Sequence, residues 1–153
     1  MRLNKVIFFI IILLSNRLLS QENKDFILCD DKNTYPYYHP KLRYEGGFWE
    51  IKNHFKSKFN ENKYHNVENN SGIVTIQFVV NCKGEIGKYE TQSCDLNYYE
   101  TEVNEDLVFD LLNLIKELNQ WIVGKDENGT EVNSHAFLSF RIENGKITEI
   151  LPK

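Results

Sequence analysis

The chain predicts an α+β domain in which two helices pack on one face of a small three- to four-stranded antiparallel sheet. Three observations predict it. Val74, Ile76, Phe78 and Val80 alternate with Thr75, Gln77 and Val79, and Ala136, Leu138, Phe140 and Ile142 alternate with Phe137, Ser139 and Arg141. Both runs have the period of a half-buried strand. Leu107, Leu111, Leu114, Ile115 and Leu118 make an apolar stripe at helical spacing. Asn81-Cys82-Lys83-Gly84-Glu85 and Glu143-Asn144-Gly145-Lys146 then supply the turn chemistry that folds each strand back on a successor. A chain of 153 residues, 41% hydrophobic, can bury one core.

The chain divides into a signal peptide at 1–20, an extended arm at 21–45 and a folded domain at 46–153. Met1-Arg2-Leu3-Asn4-Lys5 carries positive charge, Val6 to Leu14 is wholly apolar, and a small residue, Ser20, precedes a polar chain. Those are the parts of a secretory signal. A spanning helix needs about 20 apolar residues, and Asn16 and Arg17 interrupt the run first. Removing 1–20 would take away Arg2, Lys5 and Arg17 and no acid, leaving a product more acidic than the −4 of the whole chain. Such a product is a poor match for nucleic acid, which needs clustered Lys and Arg.

Pro36 and Pro40, set among Tyr35, Tyr37, Tyr38 and Tyr44, mark the arm as extended and irregular. Gly46-Gly47 opens the first helix, in which Phe48, Ile51, Phe55 and Phe59 recur at intervals of three and four. The breakers Asn69-Asn70-Ser71-Gly72 precede the first long strand, and Ile86 to Cys94 returns from it. Asn104 caps the second helix, with Glu105 and Asp106 at the positive end of its dipole. The last strand runs Val132 to Ile142, and Ile147–Leu151 can fold back on it. In an oxidising compartment one disulfide is expected among Cys29, Cys82 and Cys94. Cys82 and Cys94 sit about 30 Å apart along the hairpin at about 3.3 Å per residue, which leaves Cys29 to pair with either, or three unpaired thiols.

A series of residues carries a family resemblance. Gly46-Gly47 before a helix, Tyr64, Gly72 to Val80, Lys83-Gly84-Glu85-Ile86, a helix over 103–121, Trp121 with Gly124 three residues on, Asn128-Gly129, and Phe140 to Ile150 occur in order and spacing. Over roughly residues 44 to 151 the chain resembles the C-terminal domain of the TonB family. The resemblance implies a periplasmic location in a bacterium with two membranes. It also implies binding of the plug-side peptide of an outer-membrane transporter, added as a strand along Val132 to Ile142. The implied contact residues are Val132, Ser134, Ala136, Phe137, Leu138, Ser139, Phe140 and Arg141, with Tyr64. The chain departs from the family pattern at His65, where proline follows the tyrosine, and at Val123, where proline follows the tryptophan. It also carries no long proline-rich spacer. A stand-alone exported module is therefore expected, not an anchored energy transducer.

Strand addition gives that expectation a physical basis, because a sheet edge offers unpaired N–H and C=O groups to a ligand strand. The competing element is Ile147–Leu151, which can occupy the same edge, either permanently or as a displaceable cover. No catalytic set is expected: His39, His54, His65 and His135 lack ligand spacing, and the cysteines form no CxxC. Asp30-Asp31 and Glu100 with Glu102 read as solvated loop charges, and Trp121 as core. The chain is thus expected to be non-enzymatic, with no cofactor, no metal and no nucleic acid. Its partner is a transporter peptide or other periplasmic protein, with a structural protein or homodimer through the same strand as the alternative.

Overall fold

The structure is a computed structural model and describes residues 26–31, 33–36 and 41–152. The expected signal peptide at 1–20 lies outside the described residues, as do 21–25, 32 and 37–40 of the arm. The described elements are β1 (Thr34–Tyr35), β2 (Arg43–Tyr44), α1 (Phe48–Lys58), a 3-10 turn (Glu61–Lys63), β3 (Gly72–Val80), β4 (Ile86–Cys94), α2 (Glu105–Lys116), β5 (Trp121–Ile122), β6 (Gly124–Lys125), β7 (Glu131–Glu143) and β8 (Lys146–Leu151).

The expected small antiparallel sheet of three to four strands is not what forms. Six strands make one mixed sheet along the path β1-β7-β3-β4, with β6 and β8 also paired to β7, and β2 and β5 make a separate two-stranded sheet. The domain is mostly β. One cause is the length of β7, whose 13 residues at about 3.3 Å each span over 40 Å. The nine residues of β3 pair with only Ser134 to Ile142. The remainder of β7 takes β6 at Glu131 and Val132, while its other side takes β1 and β8. A second cause is the arm, which is not irregular throughout. It contributes β1, parallel to β7 at Asn133 and Ser134, and β2, antiparallel to β5.

The second helix is also shorter than 103–121. It ends at Lys116, and Trp121 begins β5. Its start follows the local chemistry: the Asn104 side chain accepts from the Leu107 amide, satisfying one orphan donor of the first turn. Leu107, Leu111, Ile115 and Leu118 are fully buried. They join Ile51, Phe55 and Phe59 of the first helical segment, and Val74, Ile76, Phe78, Ala136, Leu138, Phe140 and Ile142 of β3 and β7, in one apolar cluster. Each such side chain contributes about 1.5–3 kcal/mol gross on burial.

The arm is fastened at the far end of the sheet. Of the open cysteine pairings, Cys29–Cys82 forms, tying the arm to the β3–β4 turn, and Cys94 is a free thiol. Buried Asn133 accepts from the Cys29 amide at 3.0 Å and donates to the carbonyls of Asp30 and Asn33 at 2.8 and 3.2 Å. Asn81 donates to the Ile27 carbonyl at 3.0 Å. Gly87 is required where it stands, since a Cβ there would lie 2.2 Å from the Phe26 ring.

Candidate functional site

The structure gathers most of the expected contact residues on one strand and pairs much of that strand on both sides. Ser134 to Ile142 pair with β3 on one side. On the other, β1 takes Asn133 and Ser134, and β8 takes Ser139 to Glu143. Val132 pairs with Gly124 of β6. Ala136, Leu138 and Phe140 belong to the core, and Ser134 is fully buried. Phe137, Ser139 and Arg141 occupy the opposite face, where Ser139 shares a hydrogen bond with Thr75 at 2.7 Å and Arg141 pairs with Glu143 at 2.9 Å. The strand expected to be an edge is therefore interior at Ser134 and from Ser139 to Ile142, while His135 to Leu138 are paired with β3 and with no other named strand.

Tyr64 is a clasp of the core, 1% exposed. Its hydroxyl donates to the Asp106 carbonyl at 2.9 Å and also meets the Asp110 carboxylate, which Lys63 reaches at 2.8 Å. Burial pulls the Asp110 pKa upward, but the hydrogen bonds from Lys63 and Tyr64 outweigh it and hold the carboxyl below its usual range. Burial, with the adjacent Asp110, raises the Tyr64 hydroxyl. Both effects keep the clasp in one charge state across the neutral range.

The β7–β8 turn rests on this clasp. Gly145 has φ +76, and a Cβ there would come within 2.5 Å of the Tyr64 carbonyl group. Asn144 and Gly145 in turn donate to the Ser71 hydroxyl and the Asn70 carbonyl. The turn thereby delivers β8 as an integral strand, with Ile150 6% exposed and Ile147 packed on the core. Removing β8 from the sheet would uncover that surface, which argues against a displaceable cover.

β8 pairs with no strand other than β7 among the described residues. The Arg141 carbonyl accepts from the Thr148 hydroxyl and so faces β8, and Arg141 stands opposite Glu149. Antiparallel alternation then turns the backbone groups of Ile150 to the outer side. Along that side α1 and β8 enclose a groove of about 520 Å³. Phe55, Phe59, Ile147 and Ile150 give it an apolar floor, and Lys52, Lys56 and Lys146 line it with charge. A shallower extension of about 250 Å³ continues past Phe48, Arg141 and Thr148. The sequence shows the apolar spacing of α1 but does not connect Lys52 and Lys56 with β8. No periodicity in either segment reports that the two are neighbours.

The histidines are dispersed. His54 lies 2.9 Å from the Leu114 carbonyl and 3.8 Å from Glu117, His65 and His135 are exposed, and His39 lies outside the described residues. Among the described residues no group of three or more His, Cys, Asp or Glu is placed to hold a metal ion. Trp121 packs against Tyr44 and Phe78, with ring centroids at 5.2 and 5.4 Å. No helix among the described residues is long and apolar enough to cross a membrane. No protein-family model matches the chain, and neither a curated protein nor a solved structure matches it.

Proposed function

We propose that the chain is a non-enzymatic, exported protein-binding module that takes an extended segment of its partner by strand addition on the outer side of β8. The observation that carries this reading is the arrangement of β8 itself. It is an integral strand of the sheet, it pairs on one side among the described residues, and a groove with an apolar floor runs beside it. A ligand strand would satisfy backbone groups there and place alternate side chains in the groove. The Cys29–Cys82 disulfide supports export, since such bonds persist in oxidising compartments. The residue series from Gly46 to Ile150 makes the plug-side segment of an outer-membrane transporter, in the periplasm, the first partner to test.

The test is amide hydrogen exchange of the oxidised protein with such a peptide, and with the same peptide N-methylated at alternate amides. Slowed exchange confined to Lys146–Leu151, lost on N-methylation, is the expected result. Protection elsewhere, or equal binding of the N-methylated peptide, rules out addition at β8. Protection of β8 that grows with protein concentration and needs no peptide assigns the edge to a second copy of the chain.

A further inference from the structure

The groove beside β8 has a charge that the chain as a whole does not. The protein carries a formal net charge of −4, yet the groove and its extension are lined by four cations, Lys52, Lys56, Lys146 and Arg141, against two carboxylates, Glu61 and Glu149. Two of these cations are answered internally: Lys146 by Glu61 at 3.7 Å and Arg141 by Glu143 at 2.9 Å. Lys52 and Lys56 are exposed on α1 and form no ion pair among the described residues. The lining thus keeps an excess of positive charge over an apolar floor, and Lys52 and Lys56 are the two of its cations outside any ion pair among the described residues.

Their spacing fits an extended chain. Residues four apart on a helix are separated by about 6 Å along its axis at 1.5 Å per residue. Residues two apart on a strand, on the same face, are separated by about 6.6 Å. A strand added to β8 would therefore bring two side chains of one face to Lys52 and Lys56 in step. Charge-assisted contacts at both positions favour carboxylates, and the floor favours apolar neighbours.

Resting on the reading of β8 as the docking strand, we propose that this groove selects an extended acidic segment, with carboxylates at alternate positions facing Lys52 and Lys56. The concave setting of the lysines, between a helix and a strand edge, favours a peptide over the surface of an anionic membrane. Selectivity is expected to be electrostatic and to weaken as salt rises past about 0.15 M, where screening acts within about 8 Å.

The experiment titrates the oxidised full chain with fluorescent peptides of six residues, the length of β8. The peptides are alternating Glu-Val, alternating Ser-Val, and Glu-Val N-methylated at alternate amides. Glu-Val is expected to bind about tenfold more tightly than Ser-Val at low salt, as two exposed ion pairs allow. The variant Lys52→Gln/Lys56→Gln is expected to abolish that preference, bringing Glu-Val binding to the level of Ser-Val binding. Equal binding of Glu-Val and Ser-Val overturns the selectivity and leaves strand addition standing. Equal binding of the N-methylated peptide overturns strand addition, and the proposal with it. Binding to phosphatidylglycerol vesicles, lost in the same variant and without any peptide preference, assigns the lysines to a lipid surface and overturns the proposal.

Discussion

The main sheet ends in two margins that the chain treats differently. β4 is sealed by its own sequence. Lys88 stands at φ +53 beside a register shift between Gln77 and Val79, Cys94 bridges to Glu100, and the Ser93 hydroxyl donates to the Thr101 carbonyl. Lysines, bulges and covering loops are the devices by which edge strands avoid unwanted pairing. The cleft between β4 and α2, about 320 Å³, is lined by Glu102 and Glu105 with Val108 and Phe109. The β7–β8 pairing also shifts register, between Arg141 and Ile142, but the groove beside β8 is larger and carries more lysines than carboxylates. The contrast teaches that one margin is closed by local devices while the other is left beside a groove, and that the two margins differ in the charge of their clefts.

The largest expected effect breaks the contrast at the sealed end. Cys29–Cys82 spans 53 residues, for which the chain-entropy account gives about 4 kcal/mol and engineered cases commonly give about 2–4. Cys29→Ser with Cys82→Ser is expected to lower stability by about 2–4 kcal/mol in urea unfolding. Peptide binding at β8 should be unchanged wherever the variant is folded. A loss below about 1 kcal/mol would show that Asn133 and Asn81 hold the arm unaided.

A smaller effect breaks the contrast at the β8 end. Gly145→Ala meets both an unfavourable φ and the Tyr64 carbonyl at 2.5 Å, whereas Gly129→Ala, at φ +81, has nothing within 4 Å of its Cβ. The first should cost about 2–3 kcal/mol and the second about 1, because only the backbone term is common to both. The Gly145 variant should also lose peptide affinity, since its turn sets the path of β8. Equal costs in thermal melts would show that the turn shifts off Tyr64 without consequence.

The long elements were legible in the sequence because each has enough residues to show a period. β3, β7 and the buried stripe of α2 follow alternation or helical spacing residue by residue. The two-residue strands β1, β2, β5 and β6 have no period to read. The parallel pairing of Thr34 with Asn133 joins residues 99 positions apart through a buried asparagine whose local sequence reads only as strand. That is how a small antiparallel sheet became a mixed one. The candidate site was legible only as a neighbourhood. Glu143-Asn144-Gly145-Lys146 predicted the turn that forms β8, and β8 pairs with Ser139 to Glu143 of the strand expected as the docking edge. What the sequence does not show is tertiary: the seating of Gly145 on Tyr64 and the burial of Ile150 make β8 part of the sheet.

The smallest expected effect concerns the tie between the two margins. Asp110 lies on α2, the helix beside β4, while Tyr64 carries the turn that begins β8. The hydrogen bonds from Lys63 and Tyr64 hold the folded pKa of Asp110 below its ordinary 3.8. A carboxyl whose pKa is depressed by folding adds stability that is present above the unfolded value and is lost as pH falls through the folded one. In Asp110→Asn that contribution is absent at every pH, while an amide oxygen can still accept from Tyr64. The wild type should therefore exceed the variant by under about 1 kcal/mol at pH 7, since the group is partly exposed and screened. The gap should close as pH drops below about 4. Urea unfolding of both proteins between neutral and acid pH measures it. A gap that stays constant across that range would mean that Asp110 acts through packing, and that the tie between α2 and the β8 turn is held by the Tyr64 to Asp106 hydrogen bond.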